Sequence, residues 1–476
     1  MAALPAALAE AGVEVRLCLP GFGAILDAAP LADAVRLATP FAGERVRVGL
    51  AELPGGQPPA YIVDHPPFYD RPGSPYAAPD GGDWPDNHRR FALLAWIAAR
   101  LGAGADPAWR PHIVHAHDWH AGLAPAYLAA FGRPAASVFT VHNLAYQGFF
   151  GADVFAELAL PGDFFSINGV EYYGGVSFLK AGLYYADRLS TVSPNYAAEI
   201  QTPAFGMRLE GLLRARAPDL RGILNGVDPR IWSPERDAIL PLRYSRKDAA
   251  RGKAAAKAAL QRRCGLAEDA AAPLFGTVSR LTWQKGLDLL LAAAPALVAA
   301  GAQIALLGSG DPALERGFDG LAAASPGRVG IVHGYDETLA HLVMAGADIV
   351  AVPSRFEPCG LTQMYALRYG ALPLVRRTGG LADTVVDATP DALAEGSATG
   401  FVFADETADA LLEAAGRAIR LFRDRAAWRR MMARAMTRDF SWAAAARDYL
   451  ALYRELAPRR VTLPRSSRPR SPLRTT

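Results

Sequence analysis

A guanidinium, a carboxylate, a thiol and a hydroxyl fall close together in Val352-Pro353-Ser354-Arg355-Phe356-Glu357-Pro358-Cys359-Gly360-Leu361-Thr362. An apolar, β-branched run over 347–352 precedes this segment, and an apolar-periodic stretch begins at about Leu361. The pattern predicts a buried strand, a Pro/Gly loop and a helix. In open α/β sheets, ligands bind beyond the carboxyl ends of strands and beside helix N-termini. A carboxylate at Glu357 is then poised over a bound ligand. Taken alone, it could do no more than complement the helix dipole.

Other groups shift that balance. Arg280 and Lys285, in Arg280-Leu-Thr-Trp-Gln-Lys285-Gly286, also follow an apolar run and open a helical pattern. Two cations beside a helix N-terminus suit a phosphate or diphosphate, although they could also decorate a surface loop. Arg376-Arg377-Thr378-Gly379-Gly380-Leu381 repeats the arrangement. There the glycine pair could let backbone N–H groups close on an anion, or simply make a tight turn. Gly308-Ser-Gly310-Asp-Pro-Ala313 fits a loose dinucleotide fingerprint, which is weak evidence by itself. His112, His115, His117 and His120 crowd together, but they straddle a strand end where successive side chains alternate faces. Without visible converging ligands the cluster predicts no metal site. It predicts a polar cleft loop presenting Asp118, Trp119 and His120, with a similar loop at His142-Asn143-Leu-Ala-Tyr146-Gln147-Gly148.

Two series of apolar strands interleaved with helical patterns position these loops. The first has strand-like runs at 13–19, 113–116, 137–141 and 188–192, and the second at 274–279, 303–307, 328–332, 347–352 and 372–375. This is the βαβ signature of doubly wound parallel sheets, and it occurs twice. Ile223-Leu-Asn225-Gly226-Val-Asp228-Pro229 carries breaker dipeptides between the series and places the domain boundary. The expected organisation is a first Rossmann-like domain over 1–223 and a second over 224–439. A helix over 440–457 then returns to the first, and a disordered basic tail spans 458–476.

The 476 residues are 51% hydrophobic and 20% charged, a soluble globular composition long enough for two cores. Six arginines and no acid lie in 459–476, so removing them turns the formal net charge of +3 into −3 for the body. A slightly acidic body argues against nucleic acid as partner. Cys18, Cys264 and Cys359 form neither a disulfide framework nor a zinc spacing, which fits a reducing compartment. The uncharged run 289–310 reads as helix, turn and strand, interrupted at Pro295, Gly301 and Gln303, and no membrane partner is expected. The N-terminus lacks a basic n-region, which leaves the cytoplasm as the default location.

Together these segments resemble the bacterial glycogen synthases, retaining glucosyltransferases of the GT-B fold that use ADP-glucose. The resemblance spans about residue 2 to residue 457. It is carried by Ala116-His-Asp-Trp-His120, Thr140-Val-His-Asn-Leu-Ala-Tyr-Gln147, Leu224-Asn-Gly-Val-Asp228, Ser279-Arg-Leu-Thr282, Gln284-Lys285-Gly286, Pro353 to Thr362 and Arg377-Thr-Gly-Gly380. Plant starch synthases share the set, so it identifies the family before the polymer.

The resemblance implies two Rossmann-like domains facing across a cleft, with ADP-glucose and an α-1,4-glucan as partners and no cofactor or metal. It implies that Arg280 and Lys285 hold the donor diphosphate and that Glu357 lies against the transferred glucose. His142 contacts that sugar from the other domain, Asp118 sits on the acceptor side, and Tyr335 lies near the adenine. Cys359, Gly360, Leu361, Thr362, Thr378, Gly379 and Gly380 complete the nucleotide-sugar site. Position 365 is Tyr, where many related GT-B enzymes have a second Glu, so ribose recognition must differ. The resemblance and the chemistry together favour same-face attack by the acceptor 4-hydroxyl. A covalent glucosyl-Glu357 intermediate is the competing course.

Family members begin with a strand and a Lys-x-Gly-Gly phosphate loop. This chain begins at Met1-Ala-Ala-Leu-Pro-Ala-Ala-Leu8, similar to the helix after that loop. A misplaced start codon or a natural truncation would account for this, and a chain extended upstream is expected to be much more active. The alternative function is accordingly an impaired glucan- or nucleotide-binding protein. An NAD-dependent oxidoreductase resting on 308–313 leaves Arg280, Lys285 and Glu357 unexplained, and a phosphorylase would need pyridoxal phosphate.

Overall fold

The computed structural model describes residues 3–41 and 45–456, so the segment 458–476, expected to be a disordered tail, lies outside the described residues. Strands of the first half are β1 (Leu17–Pro20), β2 (Ala32–Ala38), β3 (Arg45–Ala51), β4 (Ala60–Asp64), β5 (Ile113–His117), β6 (Ala136–Val141), β7 (Phe149–Phe150), β8 (Glu171–Tyr172), β9 (Gly175–Ser177), β10 (Arg188–Thr191) and β11 (Leu220–Gly222). Those of the second half are β12 (Leu274–Val278), β13 (Gln303–Leu307), β14 (Val329–Val332), β15 (Ile349–Val352), β16 (Leu372–Arg376) and β17 (Phe401–Phe403).

The second half forms one all-parallel sheet in the order β14-β13-β12-β15-β16-β17. Its strands are near-continuous apolar runs because helices cover both faces. Ile304 and Leu306 pack with the helices Leu287–Ala299 and Ala408–Arg423. Ala305 and Leu307 point the other way, into the helices Ala249–Arg263 and Glu337–Gly346. The strand order reverses between β12 and β15, so the loops after these two strands meet at the switch point where α/β sheets bind ligands. The uncharged run 289–310 resolves into helix Leu287–Ala299, which continues through Pro295, then a turn and β13. Among the described residues, no helix is long and apolar enough to cross a membrane.

Strands of the first half fall into a parallel sheet β11-β10-β6-β5, a sheet β1-β4-β3-β2 and a small antiparallel sheet β7-β9-β8. β1 pairs parallel with β4, but β3 runs antiparallel to both β4 and β2, an arrangement not foreseen in the sequence. The strand expected over 13–19 begins only at Leu17. Glu14 and Arg16 interrupt the apolar pattern before it, while Val13 and Val15 pack toward the chain's last described helix. That helix, Trp442–Leu456, buries Ala445, Ala446, Tyr449 and Leu452 against Leu4, Leu8, Val138 and Ile223 of the first half.

Candidate active site

Gly286 begins the geometry of the site. It ends the Arg280–Lys285 loop at φ 64°, the left-handed region open to glycine. A Cβ there would collide with the Pro353 carbonyl oxygen. The loop after β12 can therefore lie directly on the loop after β15. Two further hydrogen bonds hold them together: Arg355 N–H donates to the Gln284 carbonyl at 2.8 Å, and the Gln284 amide donates to the Phe356 carbonyl at 3.2 Å. Arg355 itself grips Asp288 through two bonds of 2.7 Å and donates to Glu406 and to the Trp283 carbonyl. Its guanidinium thus has four protein acceptors and acts as a clamp between loops.

This packing places Lys285 Nζ 2.6 Å from Glu357 Oε2. The same carboxylate oxygen accepts from Ser354 Oγ at 2.8 Å, and Glu357 is only 7% exposed. A pocket of about 210 Å³ opens beside the pair, lined by Arg280, Lys285, Glu357, Gly360, Leu361 and Thr362 among others. The helix Thr362–Tyr369 starts at its wall, and no side chain caps its N-terminus. Its first N–H groups are thus free of a side-chain acceptor at the end of the helix where anions bind. Arg280 is exposed and has no ion-pair partner among the described residues. The site therefore offers a free guanidinium, an ammonium held on a carboxylate, and an uncapped helix end.

Other residues singled out in the sequence surround this centre without lining the pocket. Cys359 is buried against the core of the first half. Asn225 hydrogen-bonds its sulfur, and burial pushes the thiol up to about 12. Gly379 and Gly380 press on the backbone of Glu357 and Cys359, where a Cβ on either would collide with a carbonyl. The Gly380 N–H donates to the Glu357 carbonyl at 3.0 Å. The Gly379 N–H reaches both carboxylate oxygens of Glu199, at 2.9 and 3.1 Å, and Thr378 Oγ1 lies 3.3 Å from the same group. Tyr335 is 78% exposed and donates to Glu337 at 2.8 Å. Tyr365 stacks on Trp232 with ring centroids 3.9 Å apart. Gly308 and Gly310 permit close approach to the carbonyls of Ser279 and Leu281, so packing accounts for that glycine pattern.

In the first half, Asp118 follows β5 at φ 55°, ψ −178°, a region costly for a residue with a side chain. Its Oδ1 accepts from the His142 N–H at 2.7 Å, and burial raises its carboxyl to about 6. His142 follows β6, and burial lowers its imidazole to about 4. His142 Nε2 lies 3.1 Å from His117 Nδ1. His120 packs among Tyr76, Phe91 and Trp119. Among the described residues, no group of His, Cys, Asp and Glu is arranged to hold a metal ion.

Sequence reasoning missed Ser354, Gln363 and Glu199. Ser354 sat inside the motif, two residues past the strand end. Gln363 ties the Cys359 and Gly360 carbonyls to Thr384, a role visible only in three dimensions.

Residues 1–215 match the family described as starch synthase catalytic domain, and 263–434 match glycosyl transferases group 1. The chain is 55% identical over 457 residues to a glycogen synthase of Edwardsiella ictaluri (strain 93-146), covering 95% of each. The catalytic domain of starch synthase IV from Arabidopsis thaliana, solved with ADP and acarbose, superposes at TM-score 0.83 with 31% identity, covering 95% of this chain and 94% of that one. A sucrose-phosphate synthase from Thermosynechococcus elongatus shares the fold at TM-score 0.56 and 20% identity, over 95% of this chain and 92% of that one.

Proposed function

This chain belongs to the glycogen and starch synthase family of glycosyltransferases, and on that premise we propose that it moves glucose from ADP-glucose to the non-reducing end of an α-1,4-glucan with retention of configuration. The observation that carries the reading is the pocket bounded by Arg280, Lys285, Glu357 and the uncapped N-terminus of Thr362–Tyr369. It combines sites for a diphosphate with a carboxylate for the sugar.

As the C1–oxygen bond to the diphosphate breaks, the sugar gains oxocarbenium character and the diphosphate gains negative charge. Arg280, Lys285 and the helix end stabilise the leaving group, so no metal or other cofactor is assigned a role. Glu357 faces the developing cation. Its Oε2 already accepts from Lys285 and Ser354, which spreads its charge and weakens it as a nucleophile. That favours direct attack on the same face. The acceptor 4-oxygen bonds to C1, and its proton passes to the departing phosphate oxygen. His142 contacts the transferred sugar, and Asp118 stands on the acceptor side. Tyr335, Cys359, Thr378, Gly379 and Gly380 belong to the surroundings of the nucleotide-sugar site and not to the wall of this pocket.

Titration calorimetry with ADP tests the donor half directly. Lys285→Ala and Arg280→Ala should each weaken ADP binding by about tenfold or more, the scale of a lost charge-assisted contact. Unchanged ADP affinity in both variants would remove the diphosphate from this pocket.

A further inference from the structure

His142, proposed above to contact the transferred sugar, has one ring nitrogen committed to a second histidine. Its Nε2 lies 3.1 Å from His117 Nδ1, and the two rings are 5.3 Å apart. Burial lowers the pKa of both, His142 to about 4 and His117 well below the usual histidine value. Both rings are therefore neutral near pH 7, each with one N–H and one lone pair. Two facing lone pairs would repel, and two facing N–H groups would clash. One proton therefore lies between the rings, and their tautomers are tied. If His142 Nε2 accepts, its Nδ1 must carry the proton; if it donates, its Nδ1 must be an acceptor.

His117 is itself held from behind. It stacks on His115 at 4.1 Å. Both nitrogens of His115 are committed: Nε2 lies 2.6 Å from Thr140 Oγ1 and Nδ1 lies 2.7 Å from Tyr453 Oη. Thr140 Oγ1 in turn lies 2.5 Å from Ser190 Oγ. Among the described residues, the titratable groups facing this array are His115, the Asp118 carboxylate on the His142 N–H, and Tyr449 and Tyr453 of the last described helix. The reading of His142 as a sugar contact uses none of this support.

We propose that His117 is a positioning residue for His142, fixing through its Nδ1 the single rotamer and tautomer in which His142 meets the donor sugar. The sugar contact rests on the function proposed above; the tie between the two rings does not. At metal centres, residues that orient a ligating imidazole change its function by about 10–100-fold, which sets the scale expected for an oriented histidine here.

Two variants separate hydrogen bonding from packing. His117→Phe keeps a ring against His115 but removes the nitrogen. His117→Asn places an amide near the position of Nδ1. In nitrogen-15 histidine-labelled protein, wild-type His142 should show one tautomer, neutral down to about pH 5. His117→Phe should show mixed tautomers, and His117→Asn should restore one. For glucose transfer, kcat should fall at least tenfold in His117→Phe with KM for ADP-glucose within about threefold, and His117→Asn should recover most of it. A single His142 tautomer in His117→Phe, or equal kcat in that variant and wild type, would overturn the proposal. If His117→Phe does not fold, His117→Asn still decides: a mixed His142 tautomer there is contradictory. Absence of any glucose transfer by the wild type would sink the function reading alone, because the tautomer measurement needs no turnover.

Discussion

Glu357 and Lys285 define the residue scale. They are far apart in sequence, yet one close ion pair joins them at a pocket wall. Arg280, Lys285, Glu357, Gly360, Leu361 and Thr362 were each legible as chemistry, because cations, a carboxylate and a helix start followed apolar runs. What could not be read was which partner each would take. Arg355 looked equally available for a ligand, but its donors are spent on Asp288, Glu406 and Trp283. Alternation along β5 puts His115 and His117, two apart, on one face, where they stack, a contact that sequence reasoning did not name. Asp118 gives a prediction with a definite sign. Its carboxyl is raised by burial from 3.8 to about 6, so folding favours the protonated form. That contribution is fully present below about pH 4 and is lost as pH rises through about 6. Asp118→Asn keeps the acceptor for His142 N–H and cannot ionise. Relative to wild type, it should therefore gain about 2–3 kcal/mol of stability between pH 4 and pH 7.5, read from urea melts. A pH-independent difference would contradict the raised pKa.

At the scale of elements, the loops after β12 and β15 form one unit. The strands were legible because parallel strands covered on both faces are nearly continuous apolar runs. The first half was harder. β2 and β3 pair antiparallel and carry Arg36 and Arg47, which pair with Asp33, so they fall outside the βαβ alternation that marked the parallel strands. The small sheet β7-β9-β8 has strands too short to register as periodic. Gly286 tests the unit. Alanine there would occupy a left-handed backbone and meet the Pro353 carbonyl. Gly286→Ala should lose at least about 1–2 kcal/mol of stability. It should also lower kcat by more than that destabilisation explains, because Lys285 moves with the loop. Activity equal to wild type at a temperature where the variant is fully folded would show that loop contact does not position Lys285.

At the scale of the molecule, the two halves meet across Pro194–Glu199 and Gly379–Thr384. Glu199 accepts from the Gly379 N–H, and Asp383 accepts from the Asn195 N–H at 2.9 Å. Glu199 thus holds an anion-accepting turn of the second half from the first. A charge-assisted bond of this kind contributes roughly 1.5–3 kcal/mol. Glu199→Ala should therefore favour a more open arrangement, seen as a larger radius of gyration by solution scattering. An unchanged radius would show that the surrounding contacts hold the halves together without it.

The central claim is that the pocket beside Lys285 and Glu357 in the second half delivers glucose from a nucleotide to a glucan. The direct measurement incubates the chain with maltoheptaose and ADP-glucose labelled at C1 with carbon-13, and reads the product by NMR. New α-1,4 linkages carrying the label are predicted, with incorporation falling by about 10²–10³ in Glu357→Gln. β-linked product, no incorporation, or a Glu357→Gln variant as active as wild type would each contradict it.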